Sequence, residues 1–140
     1  VAPKVVEEAL YIYTDRTRST AAAIVAGEIS ALGISIVPTV LSDDETIKSV
    51  QYALEVDDGE AETLGIAANR GLAVLSDDRA AARIASRDGI AIETILDLIF
   101  AWSSGRSADE IRDVLLDLTN RANFRPPKKH PYSAWFAAHS

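Results

Sequence analysis

Cysteine and methionine are both absent from these 140 residues. Without cysteine there can be no disulfide, no thiolate metal site and no cysteine nucleophile. Histidine is almost absent too. His130 and His139 both lie in the last twenty residues, which leaves a Ser–His–acid triad poorly supported. No Walker loop and no GxGxxG turn occurs, so nucleotide binding through a glycine-rich turn has no basis in the sequence. No apolar run approaches the roughly 18 residues that a membrane helix needs. The opening Val1-Ala-Pro-Lys4 lacks the layout of a signal peptide, so a cytoplasmic address is the default expectation. The chemistry left to this chain is that of carboxylates.

Apolar residues make up 48% and charged residues 25% of the 15.0 kDa chain, an ordinary globular balance that suits one domain with a real core. The charge is lopsided. All 21 acidic residues fall within residues 1–120, whereas residues 121–140 hold four basic residues and no acid. An acidic body argues against passive, charge-driven coating of nucleic acid. It is compatible with an enzyme that reaches a phosphodiester through metal ions and a local basic tail.

Helical segments alternate with short β-branched runs, the pattern of a parallel sheet covered by helices. Helices are expected over residues 3–12 and 20–32, then a strand over 34–40. Ser42-Asp-Asp-Glu45 reads as a capping box that opens a helix to about residue 54. A helix over 59–70 closes at Gly71, and residues 72–75 form a short strand. Ser76-Asp-Asp-Arg79 follows at once, with a helix to Asp88 and a strand over 90–92. An apolar helix is expected over 94–103, and Ser107-Ala-Asp-Glu110 opens another to about Asn120. The rest, with Pro126, Pro127 and Pro131, reads as loop or short strand before an aromatic end.

Three acidic clusters stand out. Asp77 and Asp78 follow a buried strand at its carboxyl end, the edge where open α/β sheets bind ligands. Asp57, Asp58 and Glu60 open the helix before that strand. Glu7 and Glu8 lie on the first helix, Glu8 toward its apolar side, where an unpaired carboxylate is costly. Acids at a helix start also cap free N–H groups and favour the macrodipole, which accounts for Asp57–Glu60 and Ser76–Asp78 without any metal. An oxygen-only donor set would suit Mg²⁺ or Mn²⁺ rather than zinc. Asp97 is a reserve ligand.

The run Asp57-Asp-Gly-Glu-Ala-Glu62, continuing to Gly71, resembles the third-acid helix of PIN-like domains, in the branch with a D-x-G-E-A-E motif. Leu72-Ala-Val-Leu-Ser-Asp-Asp-Arg79 is similar to the strand and double-aspartate turn of that branch. Ala2-Pro-Lys-Val-Val-Glu-Glu8 resembles its V-P-x-x-V-x-E-E segment, and Ile90-Ala-Ile-Glu-Thr94 its later strand–helix unit. Together these cover most of residues 1–125, with 126–140 as an unmatched C-terminal tail.

The resemblance implies a three-layer α/β fold, a parallel sheet flanked by helices. It also implies a metal site built from Glu8 (with Glu7 as rival), Glu60 and Asp78, supported by Asp77. The family's first strand, which ends in a metal-binding aspartate, has no counterpart in these residues. The chain is therefore expected to be either a piece that starts after that strand or an inactive relative. The implied activity is a Mg²⁺- or Mn²⁺-dependent endoribonuclease, as in the toxin of a toxin–antitoxin pair. RNA would be the substrate, an antitoxin protein and a second copy the partners, with no membrane. Arg79, Arg83 and Arg125, with Lys128 and Lys129, are candidates for contact with the RNA backbone. The alternative is a catalytically inactive PIN-like module acting in protein–protein interaction or dimerisation.

Overall fold

Pro3 is tolerated in the first turn of a helix, where its missing N–H would have no partner anyway. The chain duly opens with α1, Pro3–Glu8. The computed structural model describes residues 2–8, 11–13, 16–17, 21–23, 35 and 40–140; at residues 7, 8, 11–13 and 21–23 it describes the backbone alone. Beyond α1 lie two short strands, β1 (Tyr11–Tyr13) and β2 (Ala21–Ala23), paired antiparallel with Ile12 opposite Ala22. Then come α2 (Asp43–Tyr52), α3 (Asp58–Arg70), β3 (Val74–Leu75), α4 (Arg79–Asp88), β4 (Ile92–Glu93), α5 (Ile95–Trp102), α6 (Ala108–Asn120) and α7 (Ser133–His139). Strands β3 and β4 run parallel, Val74 opposite Ile92, with the helix α4 between them in sequence. This is an α/β fold.

Local chemistry sets most of these boundaries. Both capping boxes form: Ser42 and Ser107 accept from the backbone N–H of Glu45 and Glu110, whose carboxylates bond back. At the other ends, Gly71 and Gly89 close α3 and α4 with φ of 65° and 70°, a left-handed conformation that favours glycine.

Two expectations need correction at the N-terminal end. The helix expected over 3–12 stops at Glu8, and Tyr11–Tyr13 is a strand, because Tyr-Ile-Tyr suits a pleated backbone and β2 supplies its hydrogen bonds. Residues 21–23, expected to be helical, are the other half of that ladder. Cross-strand pairing there overrides the helix preference of alanine. The rest of the 20–32 segment, and the strand expected over 34–40 apart from residues 35 and 40, lie outside the described residues. The aromatic end, for which the sequence reading assigned no element, forms α7.

The chain divides into two compact units, the first comprising Val1–Leu10 and Ile24–Ile95, the second Tyr11–Ala23 and Leu96–Ser140. Residues 126–140, left unmatched by the resemblance, fall in the second unit. The first unit packs around Tyr52, Leu64 and Ile84, with the alanines of α3 and α4 allowing close approach. On α4 the positions facing this core are Ala81, Ile84 and Ala85, while Arg79 and Arg83 are exposed. Where α2 crosses α3, Gly65 is needed for space: a Cβ there would lie 2.9 Å from both Ser49 N and Glu45 O.

Glu45 is buried at the same crossing. Arg70 grips its two oxygens, Nη2 lying 3.2 Å from Oε2, and the Ser42 N–H adds a third bond at 2.9 Å. That satisfaction is what makes a buried carboxylate tolerable.

In the second unit Leu96, Ile99, Ile111, Leu115 and Phe136 are buried. Tyr132 stacks on Phe100 at 3.7 Å, Trp135 meets Phe100 edge-on at 5.2 Å, and Phe124 lies 5.8 Å from Phe136. These rings hold α7 to α5 and to the segment that follows α6. Among the described residues, no helix is long and apolar enough to cross a membrane.

Candidate functional site

Strand β3 delivers three polar residues, Ser76, Asp77 and Asp78, to its carboxyl end, and α4 begins directly after them. Asp78 is the N-cap of α4. Its backbone is extended, and its Oδ1 accepts from the N–H groups of Ala80 at 2.6 Å and Ala81 at 2.9 Å. Both bonds use Oδ1, so the cap leaves Oδ2 out. Asp77 Oδ1 accepts from the Ile95 N–H at 3.4 Å, at the start of α5.

Glu60 arrives from a different element. It sits in the first turn of α3, where Asp57 Oδ1 accepts its N–H at 2.9 Å. Ser76 links the two. Its hydroxyl donates to Glu60 Oε1 at 3.2 Å and accepts from the Asp78 N–H at 3.1 Å. One side chain thus ties the third-helix carboxylate to the double-aspartate turn. Beside them is a cavity of about 190 Å³, lined by Val5, Glu60, Thr63, Ser76 and Ala81 among others. A larger hollow of about 300 Å³, between Ala2, Val5, Thr63, Leu72 and Val74, has no carboxylate among its described lining residues.

Val5 brings α1 to the same cavity, and the Lys4 N–H donates to Glu62 Oε1 at 3.0 Å, fastening α1 to α3. Residue 8 follows Val5 by three positions on α1. The side chains of Glu7 and Glu8 lie outside the described part, and so does their place in any site.

Ser76 therefore links two of the residues singled out by sequence, Glu60 and Asp78, while Asp77 between them in the chain turns its carboxylate to the Ile95 N–H. Both capping functions expected of the acidic clusters are present as well, at Asp57 and Asp78. Arg79 and Arg83 lie exposed on α4 just beyond the turn. Arg125 belongs to the second unit, where its Nη1 donates to the carbonyls of Thr119 at 3.0 Å and Phe124 at 2.8 Å, closing the end of α6. Asp97 also belongs there, its Oδ1 lying 3.4 Å from His130 Nε2. Sequence reading gave Ser76 a capping part only. Its bond to Glu60 spans 16 residues, and no local pattern signals it.

Chemically, the corner offers hard oxygen donors, which suit Mg²⁺ or Mn²⁺ in kind. In number it falls short, since no group of three histidine, aspartate or glutamate side chains among the described residues is arranged to hold a metal ion. A family model described as a PIN domain (DUF3368) matches residues 1–134. No curated protein and no solved structure matches the chain.

Proposed function

Because the chain belongs to the PIN domain family, we propose that it is a Mg²⁺-dependent endoribonuclease, the toxin of a toxin–antitoxin pair. The observation that carries this reading is the corner at the end of β3, where Ser76 joins Glu60 to the Asp78 turn. Glu60, Asp77 and Asp78, with Glu8 of α1, would hold the metal, Mn²⁺ serving in place of Mg²⁺. Once bound, such an ion polarises the phosphodiester and lowers the pKa of the attacking water.

The chain's own contribution is positioning. The Ser76 hydroxyl orients Glu60, and the Ala80 and Ala81 N–H groups fix Asp78 while leaving Oδ2 for a cation. Arg79 and Arg83, exposed on α4, would meet RNA phosphates. With this reading go the three-layer arrangement of a parallel sheet between helices, a homodimer, a silencing antitoxin and a cytoplasmic setting.

The rival reading is a catalytically inactive PIN-like module acting through protein contacts. RNA cleavage measured with Mg²⁺, with EDTA and with the Asp78→Asn chain separates the two. Cleavage that needs Mg²⁺ and vanishes in the variant is the expected result. Cleavage that persists in EDTA sinks the metal mechanism, and a chain that never cleaves RNA turns the assignment to the inactive module.

A further inference from the structure

In the second unit the described arginines are engaged. Arg16 bonds Asp113 and Asp117, Arg106 faces Glu110, Arg112 faces Asp109, Arg121 faces Asp117, and Arg125 closes α6. Lys128 and Lys129 differ. Both are exposed, and neither makes an ion pair with a described residue. No acidic residue occurs anywhere in residues 121–140 to offset them.

The loop that carries these lysines is held at both ends. Pro126, Pro127 and Pro131 restrict φ along it. The Pro127 carbonyl accepts from the His130 N–H at 2.9 Å and from the Ser133 hydroxyl at 2.5 Å. His130 Nδ1 accepts from the Tyr132 N–H at 3.2 Å, which puts the ring proton of a neutral imidazole on Nε2, facing Asp97. Tyr132 in turn lies flat on Phe100. Two adjacent lysines are thus displayed on a preorganised strap, without carboxylate partners among the described residues. Ordering such a strap on a ligand costs little, because it is ordered already.

We propose that the strap over residues 125–132 is a contact for the phosphate backbone of single-stranded RNA, carried by Lys128 and Lys129 and independent of base sequence. The choice of RNA as the polyanion rests on the ribonuclease reading above. The ring cluster and His130 position the strap, and the lysines touch the ligand.

The test is anisotropy of a fluorescein-labelled oligouridine with the full chain in EDTA, between 50 and 200 mM KCl, beside Mg²⁺-dependent cleavage of the same RNA. Lys128→Ala/Lys129→Ala should weaken binding on the order of tenfold at 0.1 M salt. It should also flatten the salt slope by about 1.4, at roughly 0.7 per phosphate contact on a single strand. Lys128→Arg/Lys129→Arg should restore both, and Arg112→Ala should change neither. A double-alanine chain that keeps its affinity and slope while the wild type binds and cleaves RNA overturns the strap and spares the nuclease. Binding by the wild type to anionic vesicles but not to RNA overturns the strap as an RNA contact. A wild type that neither binds nor cleaves RNA overturns the underlying reading itself.

Discussion

Carboxylates at the β3–α4 turn and carboxylates along α6 are held by different kinds of donor. Among the described residues, Asp77 and Asp78 accept from backbone N–H groups, those of Ile95, Ala80 and Ala81. On α6, Asp117 lies between Arg16 and Arg121, and Asp109 answers Arg112, while Glu110 at the helix start takes the Ser107 N–H as a capping residue. The Arg16 hydrogen bond, more than any other influence, holds the Asp117 carboxyl below its ordinary range. A guanidinium cancels the charge it binds, making the pair a strut. A neutral N–H orients a carboxylate but leaves its charge standing, and a standing charge is what a cation needs. The residue type is the same in both places, and the partner decides its use.

The hardest test of this contrast is at Asp78. Asparagine caps a helix about as well as aspartate. Asp78→Asn should therefore leave the melting temperature near wild type while Mg²⁺-dependent RNA cleavage falls by about 10²-fold or more. Asp117→Asn should leave cleavage unchanged; equal losses from the two variants would erase the distinction. Asp78→Ala also removes the cap and should cost about 1 kcal/mol of stability besides.

Gly65→Ala disturbs the helix that carries Glu60 without touching any carboxylate. The added Cβ meets backbone atoms of α2 at 2.9 Å, and overpacking of this kind costs about 1–3 kcal/mol, read by urea denaturation. A neutral result would mean that the α2–α3 crossing yields easily.

Glu45 carries the strut behaviour into the first unit. The Arg70 hydrogen bond first, then the Ser42 N–H, hold its carboxyl down at about 2, against an ordinary 4.5. Because the folded value lies below the unfolded one, the stabilisation is full above pH 4.5 and disappears as pH falls toward 2. Arg70→Leu should therefore be less stable than wild type at neutral pH, with the gap closing across that acid window in urea melts. A gap independent of pH would assign the effect to packing.

The smallest effect is expected at Thr119, whose buried hydroxyl has no hydrogen-bond partner among the described residues. Thr119→Val should raise stability by about 1 kcal/mol in thermal melts. A loss instead would point to an unseen partner for that hydroxyl on α6.

Where the sequence was legible, the determinants were close together along the chain. Ser42 with Glu45, Ser107 with Glu110, and Gly71 and Gly89 marked helix ends that the structure reproduces. The strand before Ser76 and the acids after it were readable for the same reason. Legibility failed where a partner outvoted local preference. Tyr11–Tyr13 continued an apolar spacing that suits a helix, yet the ladder with Ala21–Ala23 made it a strand. The helix α7 was hidden behind three prolines and is held by rings from α5 and from the segment after α6. At the site, Asp77, Asp78 and Glu60 were legible as acids near a strand end, but their connection through Ser76 was not.

The sequence by itself determined the helix caps, the acids at the end of β3 and a basic C-terminal segment without acids, because each depends on residues within a turn or two of one another. Tertiary structure alone decided that Arg16 reaches Asp117, that Arg70 reaches Glu45 and that Ser76 reaches Glu60. Those outcomes depend on packing between elements, and no residue encodes its distant neighbour in its own type.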